Sequence, residues 1–428
     1  MDTIFAQASA LGRAGVSVVR ISGPMTHDVA TKMAGALPAH RASALRMIKD
    51  SEGGYIDQAL VLRFDGPNSF TGEDVVELHL HGSIAILRRV LAELGGFDGC
   101  RLAEPGEFTR RALENGRLDL VQVEGLADLI EAETEAQRKQ ALRVLSGALG
   151  SKIEGWRSKL IRAAALLEAT IDFADEEVPV DVSGEVNDLL GEVGDALQLE
   201  IVGTKSAERI RTGFEVAIVG APNVGKSTLL NRLAGREAAI TSSIAGTTRD
   251  VIEVRMDLGG LPVTLLDTAG IRDSTDEIEA LGVELAYRRA ANADMRLFLL
   301  DEGQVPPMVP LPNDLVLVSK ADLSGDEFPA ISGLSGAGIE QLLKEVEHRL
   351  GSLASAAGLA THERHRMAME ISDRSLTAVK ILLNDGPDRY DIAAAELRLG
   401  IHALEVLVGR IDAENLLDEI FASFCLGK

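Results

Sequence analysis

The sequence predicts a multidomain α/β protein: an N-terminal α/β domain, a helical domain, and a phosphate-loop domain inserted into the helical one. Three observations carry this reading. Residues 215–250 contain an apolar strand, a glycine loop and a helix, in that order. Helical periodicity appears on both sides of that segment. The first 118 positions mix period-two and helical patterns. The expected boundaries are 1–118 for the first domain, 119–212 and 353–428 for the two parts of the helical domain, and 213–352 for the inserted one.

Residues 216–219 (VAIV) form the short apolar run of a strand covered on both faces. Residues 220–227 (GAPNVGKS) fit G-x-x-x-x-G-K-[ST], and Thr228, Leu229, Leu230, Asn231 and Leu233 continue as a helix. This is the order a phosphate loop requires. Gly220 and Gly225 let backbone N–H groups converge on phosphate oxygens. The helix N-terminus adds its positive dipole end. Nucleotide contacts are expected from Asn223, Val224, Gly225, Lys226, Ser227 and Thr228. Lys226 would reach the outer phosphates, and Ser227 would hold Mg²⁺.

Downstream motifs choose the base. A second apolar strand ends in Asp267, Thr268, Ala269 and Gly270 (DTAG). Asp267 can hold Mg²⁺ through a water, and the Gly270 N–H can sense a γ-phosphate. Thr248, within 246–250 (GTTRD), sits where GTPases place the switch threonine that completes the magnesium shell. A third strand, 315–318, leads into Ser319, Lys320, Ala321 and Asp322, similar to the guanine-reading N-K-x-D with Ser for Asn. Asp322 can accept two hydrogen bonds from guanine, a pattern adenine cannot match. A weaker echo of the S-A-x loop follows at Ile331-Ser332-Gly333-Leu334, with Gly333 for Ala. These motifs define a Ras-like GTPase domain.

Where Ras-like proteins often carry a water-orienting Gln, this chain has Ile271. Another group must therefore orient water, and another charge must replace an arginine finger, worth roughly 10³–10⁵ in rate. The Asn223 amide oxygen is a candidate ligand for a monovalent cation beside the phosphates. Glu277 and Glu279 are candidates for the water. On residues alone, their acidic segment, 273–279, reads better as a solvated switch loop.

At 428 residues, the chain has room for two or three domains. Two cysteines, Cys100 and Cys425, exclude a disulfide framework and fit a reducing, cytoplasmic setting. No secretory signal and no apolar run of about 18 residues is seen. A net charge of −23 argues against broad nonspecific nucleic-acid binding, though not against a nucleic acid brought by a basic partner.

In the first domain, residues 16–21, 58–64 and 74–81 read as strands, 84–94 as a helix and 66–74 as a turn-rich loop. His79 and His81 share a strand face without a third ligand nearby, so an ordinary strand face or pocket wall is the better reading. Residues 119–210 and 361–424 are helical by pattern, with Trp156 packing. Residues 350–358 are small and read as a linker. His362 and His365 read as a solvated helix face.

The chain resembles the MnmE or TrmE family of tRNA modification GTPases. The likeness rests on Asp2-Thr3-Ile4, Gly12-Arg13-Ala14-Gly15, residues 66–74 (GPNSFTGED), residues 103–109 (AEPGEFT), the GTPase motifs, and the ending 420–428 (IFASFCLGK). The family ends in F-C-I-G-K, so Leu426 departs mildly. The resemblance implies a first domain like folate-binding aminomethyltransferases, which takes 5-formyltetrahydrofolate as one-carbon source. Arg20, Glu77, Arg117 and Lys428 would face the folate; the family often has Lys at the Arg117 position. It also implies a homodimer through the first domain and K⁺-dependent pairing of GTPase domains. K⁺ ligands would be Asn223, Ser242, Ile244 and Thr247, with Mg²⁺ on Ser227 and Thr248. Switch contacts to GTP would come from Ser242, Ser243, Ile244, Ala245, Gly246, Thr247 and Thr248. Glu279 aligns with the family's catalytic Glu, which orients water through a second water, and Cys425 is required for modification. A FAD-containing partner, MnmG or GidA, would complete a heterotetramer or larger complex. Together they would install an aminomethyl or carboxymethylaminomethyl group at C5 of a tRNA wobble uridine.

Two alternatives stay open. One is a ribosome-assembly GTPase of the Era or Der type, which lacks the first domain and the C-x-G-K end. The other is a folate-dependent aminomethyltransferase in which GTP only regulates.

Overall fold

The computed structural model describes residues 2–172, 182–236, 239–240, 253–267, 288–324, 328–411, 421 and 427. It divides into two compact units, Met1–Ala127 with Glu405–Lys428, and Asp128–Leu404.

The first unit holds a six-stranded sheet. Its strands are β1 (Thr3–Gln7), β2 (Ala14–Ser22), β3 (Ser43–Lys49), β4 (Tyr55–Phe64), β5 (Val75–Gly82) and β6 (Cys100–Leu102). Their order is β3-β4-β5-β2-β1-β6, antiparallel except between β1 and β6. Period-two alternation decides the faces. Phe5, Val19, Ile21, Val76, Leu78 and Ile48 pack under α1 (Thr26–Ala34) and α2 (Ile84–Gly95). The opposite face carries Ile4 and Ala6, covered by Phe108 of α3 (Glu107–Glu114). On β3 and β4 the same face leaves Leu45, Met47 and Leu60 exposed. The C-terminal segment returns to this unit. Phe421 is fully buried with Val123 of α4 (Leu120–Glu131), and Gly427 is buried against Gln7 and Ala8.

The second unit begins with α5 (Glu135–Leu145), α6 (Ala148–Asp172) and α7 (Ser183–Thr212). The chain then enters a five-stranded sheet: β7 (Phe214–Val219), β8 (Glu253–Leu258), β9 (Leu261–Asp267), β10 (Met295–Leu300) and β11 (Leu315–Val318). The order β11-β10-β7-β9-β8 is parallel except at β8. Buried Val216, Ile218, Leu265, Leu297 and Leu299 explain the apolar runs. The described helices here include α8 (Lys226–Ala234), the short α9 (Ala321–Ser324) and α10 (Ile339–Ala354). The chain leaves through α11 (Glu363–Asn384) and α12 (Tyr390–Leu407). Both α6 and α11 pack on α7. Helices from either side of the α/β core thus share one layer, as an insertion requires.

Three expectations need correction. The segment 350–358 is not a free linker. Its first residues continue α10, because Ile339, Leu342, Val346 and Leu350 form one buried stripe. Its end is fastened to α7: Gly358 N–H donates to Gly203 O at 3.2 Å, and Leu359 N–H to the Glu200 carboxylate at 2.7 Å. His365 is not solvated but fully buried, and its Nδ1 accepts from Thr361 N–H at 3.3 Å. His362 pairs with Asp128 at 3.2 Å. The helical pattern after 361 also breaks at residues 385–389, where Gly386 takes φ 101° before a 3₁₀ turn.

Candidate nucleotide and ligand sites

Four strands of the second unit's sheet deliver their carboxyl ends to one edge, the place where open parallel sheets bind ligands. The phosphate loop follows the central β7. A Cβ at Gly220 would collide with Leu299 O, so only glycine lets the loop leave the sheet here. Asn223 at φ 62° and Gly225 at φ 108° turn the backbone into the left-handed region. Lys226 opens α8 and folds back, its Nζ donating to Gly220 O and Ala221 O at 2.8 Å each. Burial pushes its ammonium pKa down, and Asp267 opposes this. The Ser227 hydroxyl donates to Asp267 Oδ2 at 2.8 Å. Two hard oxygen donors and one ammonium thus face a loop of backbone amides, a donor set suited to Mg²⁺ and phosphate.

The turn after β11 is held by a residue the sequence reading did not single out. Asp301, directly after β10, accepts from Ser319 Oγ at 3.0 Å and from Lys320 Nζ at 2.8 Å. Asp267 was flagged by the DTAG run it opens, whereas Asp301 follows its strand with no motif to mark it. Ser319 N–H donates to Leu300 O, Ala321 N–H to Ile331 O, and Asp322 is exposed. Gly333 also gains a reason. A Cβ there would stand 2.8 Å from Leu229 N, inside α8, so the familiar alanine does not fit.

In the first unit, Arg20 on β2 lies in register with Glu77 on β5. Its Nε donates to Glu77 Oε1 at 2.9 Å. The guanidinium lies 5.2 Å from the Phe70 ring centroid and 5.6 Å from that of Phe108, two residues without a period to mark them in the sequence. The loop carrying Phe70 is pinned from several sides. Ser22 Oγ meets Thr71 Oγ1 and Glu73 Oε2 at 2.7 Å each, Arg111 grips Glu73 at 3.0 Å, and Asn115 Nδ2 donates to Thr71 O at 2.7 Å. Arg117 is exposed and packs by its stem beside Gly72. Gly427 reaches Gln7 and Ala8, next to Ala6, the cross-strand partner of Arg20. His79 is partly buried, 3.4 Å from Glu77 on the same strand.

Several candidates lie outside the described residues. They are Ser242, Ser243, Ile244, Ala245, Gly246, Thr247, Thr248, Thr268, Ala269, Gly270, Ile271, Glu277, Glu279, Cys425 and Lys428.

Strand ends, phosphate loop and motif order define a P-loop GTPase with a Ras-like core. Residues 3–117 match the family model described as GTP-binding protein TrmE N-terminus, and residues 120–425 match MnmE helical domain. Relatives named tRNA modification GTPase MnmE are 63% identical in Roseobacter denitrificans and 61% in Ruegeria pomeroyi, each over 428 residues and 100% of both chains. The one in Dinoroseobacter shibae is 58% identical over 431 residues, again covering both chains fully. The chain belongs to the MnmE family of tRNA modification GTPases. Among solved structures, Aquifex aeolicus Era bound to GDP.AlF4- matches 32% of this chain and 56% of that one, at 32% identity and a TM-score of 0.25.

Proposed function

We propose that this GTPase is K⁺-dependent and acts with a FAD-containing partner on the wobble uridine of certain tRNAs. Together they add an aminomethyl or carboxymethylaminomethyl group at C5, using a tetrahydrofolate one-carbon donor. The observation that carries this reading is the family match along all 428 residues, which takes in the first unit and the tail as well as the GTPase core.

The chain's own residues support the nucleotide and folate parts. Lys226 and the loop amides would hold the GTP phosphates, and Ser319, Lys320, Ala321 and Asp322 the guanine. Ser227, Thr248 and, through water, Asp267 would hold Mg²⁺; Asn223, Ser242, Ile244 and Thr247 would hold K⁺. When bound, these cations supply the positive charge that an arginine finger and magnesium give other GTPases. Ile271 has no polar atom for water, so Glu279 is the residue assigned to orient it. The Arg20–Glu77 pair between two aromatic rings suits a flat, polar, anionic folate, with Arg117 and Lys428 adding charge. Cys425 is assigned to the modification step.

The exposed Leu45, Met47 and Leu60 suit homodimer contact through the first unit. No described helix is long and apolar enough to cross a membrane. Work on tRNA beside a flavin partner fits the cytoplasm.

The test is GTP hydrolysis in KCl and in NaCl at equal ionic strength, for wild type and Glu279→Ala. Strong K⁺ stimulation, with turnover abolished in the variant, is expected. Equal rates in the two salts would instead favour an Era-like GTPase that awaits an external activator.

A further inference from the structure

Lys320 stands at φ 60°, one of three described non-glycine residues in the left-handed region. Such a backbone costs energy and persists only where its surroundings hold it. The chain is pinned on both sides of it. Ser319 N–H donates to Leu300 O at 2.7 Å, and Ala321 N–H to Ile331 O at 3.1 Å. The turn leads from Lys320 into Asp322, which lies exposed in the first turn of α9.

Two side chains of this turn converge on Asp301. Its Oδ1 accepts from Ser319 Oγ at 3.0 Å and from Lys320 Nζ at 2.8 Å. The Lys320 and Ser319 bonds hold the Asp301 carboxyl below its usual range. Asp301 is fixed in turn. It directly follows β10, and its carbonyl accepts from Gln304 N–H at 3.1 Å. β10 and β11 pair in parallel with Leu300 beside Val318, so the ladder sets Asp301 against residues 319–320. Ser319 is 5% exposed, and its one hydroxyl proton goes to Asp301. An Asn amide at this place would carry two donors for a ligand; the serine has no proton left to give.

We propose that Asp301 is a positioning residue for nucleotide recognition, acting through Lys320 and Ser319 to hold Asp322 against the Watson–Crick edge of guanine. The proposal rests on reading residues 319–322 as the base site. Tethering the Lys320 ammonium and the Ser319 hydroxyl to one carboxylate steadies the left-handed backbone between them and Asp322. Without the tether the turn relaxes, and Asp322 moves off the two N–H groups that guanine offers it. The contact most sensitive to this is the one to the guanine 2-amino group, which hypoxanthine lacks.

Binding of GDP and of IDP, its hypoxanthine counterpart, is measured by calorimetry on the full-length protein. Wild type is compared with Asp301→Ala, Asp301→Asn and Glu302→Ala, and each is melted without nucleotide. Wild type should favour GDP over IDP by at least about tenfold, the worth of one hydrogen bond to a charged acceptor. Asp301→Ala should weaken GDP by about tenfold and bring the preference to about threefold or less, with IDP changed far less. Asp301→Asn keeps an oxygen acceptor without the charge and should fall between; it carries the test if the alanine variant melts early. Glu302→Ala, the exposed next residue, should match wild type. A preference kept intact in Asp301→Ala overturns the proposal, whether GDP affinity is unchanged or both nucleotides weaken alike, as in a general loosening. Wild type that binds GDP and IDP equally overturns the base-site reading as well, so the two failures are told apart.

Discussion

Lys226 is 5% exposed and donates to two loop carbonyls, with Asp267 near enough to favour its charge. Burial still wins, and the folded-state pKa lies below the unfolded value of about 10.4. The sign follows. The folded protein disfavours the ammonium, so this residue destabilises it below the folded pKa, and the penalty fades as pH rises through the unfolded one. Phosphate would relieve the penalty. At pH 7.5, Lys226→Met should therefore melt no lower than wild type without nucleotide. It should lose the GDP-induced rise in Tm and at least about 10²-fold in hydrolysis. Melts with and without GDP, beside turnover, check this; an undiminished GDP shift would contradict it. The lysine was legible because glycine spacing encodes the loop. Asp301 was not, because a lone acid after a strand says nothing of what it will hold until β11 lies beside β10.

At the scale of elements, α3 shows how one helix secures a site. Glu107 opens it and pairs with Arg101. Burial alone would push the Glu107 carboxyl up. The Arg101 bond, the Glu104 N–H at 2.7 Å, and the charges of Arg101 and Arg111 bring it below its usual range. A depressed carboxylate stabilises above its unfolded pKa, about 4.3, and the contribution is lost as pH falls through the folded value. Glu107→Gln should cost about 1 kcal/mol at pH 7 and flatten the loss of stability below about pH 4, read by urea melts across pH. Parallel acid limbs in variant and wild type would rule it out. The misread segment 350–358 belongs here too. Small residues suggested freedom, but they permit close approach. A Cβ on Gly203 would stand 2.7 Å from Gly358 N, so glycine lets the returning chain lie on α7.

Over the whole first unit, the two chain ends converge. Phe421 is buried beneath the Arg110 guanidinium, 5.1 Å from its ring centroid, and Gly427 packs on the end of β1. Any Cβ at Gly427 would collide with Gln7 O, so Gly427→Val should move this position off β1. Nucleoside analysis of tRNA from cells carrying this variant should show wobble-uridine modification falling at least tenfold (about 1.4 kcal/mol), with purified GTPase turnover within about twofold. Normal modification would remove the tail from the mechanism.

The GTPase core, the flanking helices and three of the first domain's six strands (β1, β3 and β6 were not read) were legible because local periods and glycine spacing are read within one element. Lys226, Ser227 and Asp267 were found this way. Contacts made across elements were decided only in three dimensions. Phe70 and Phe108 come to flank Arg20 through a pinned loop and a helix, and His365 is buried because α11 packs on α7. Gly333 yields to the backbone of α8, and His27 meets two aspartates far along the chain. Burial and pairing depend on which surfaces meet, and no single stretch of sequence contains its partner.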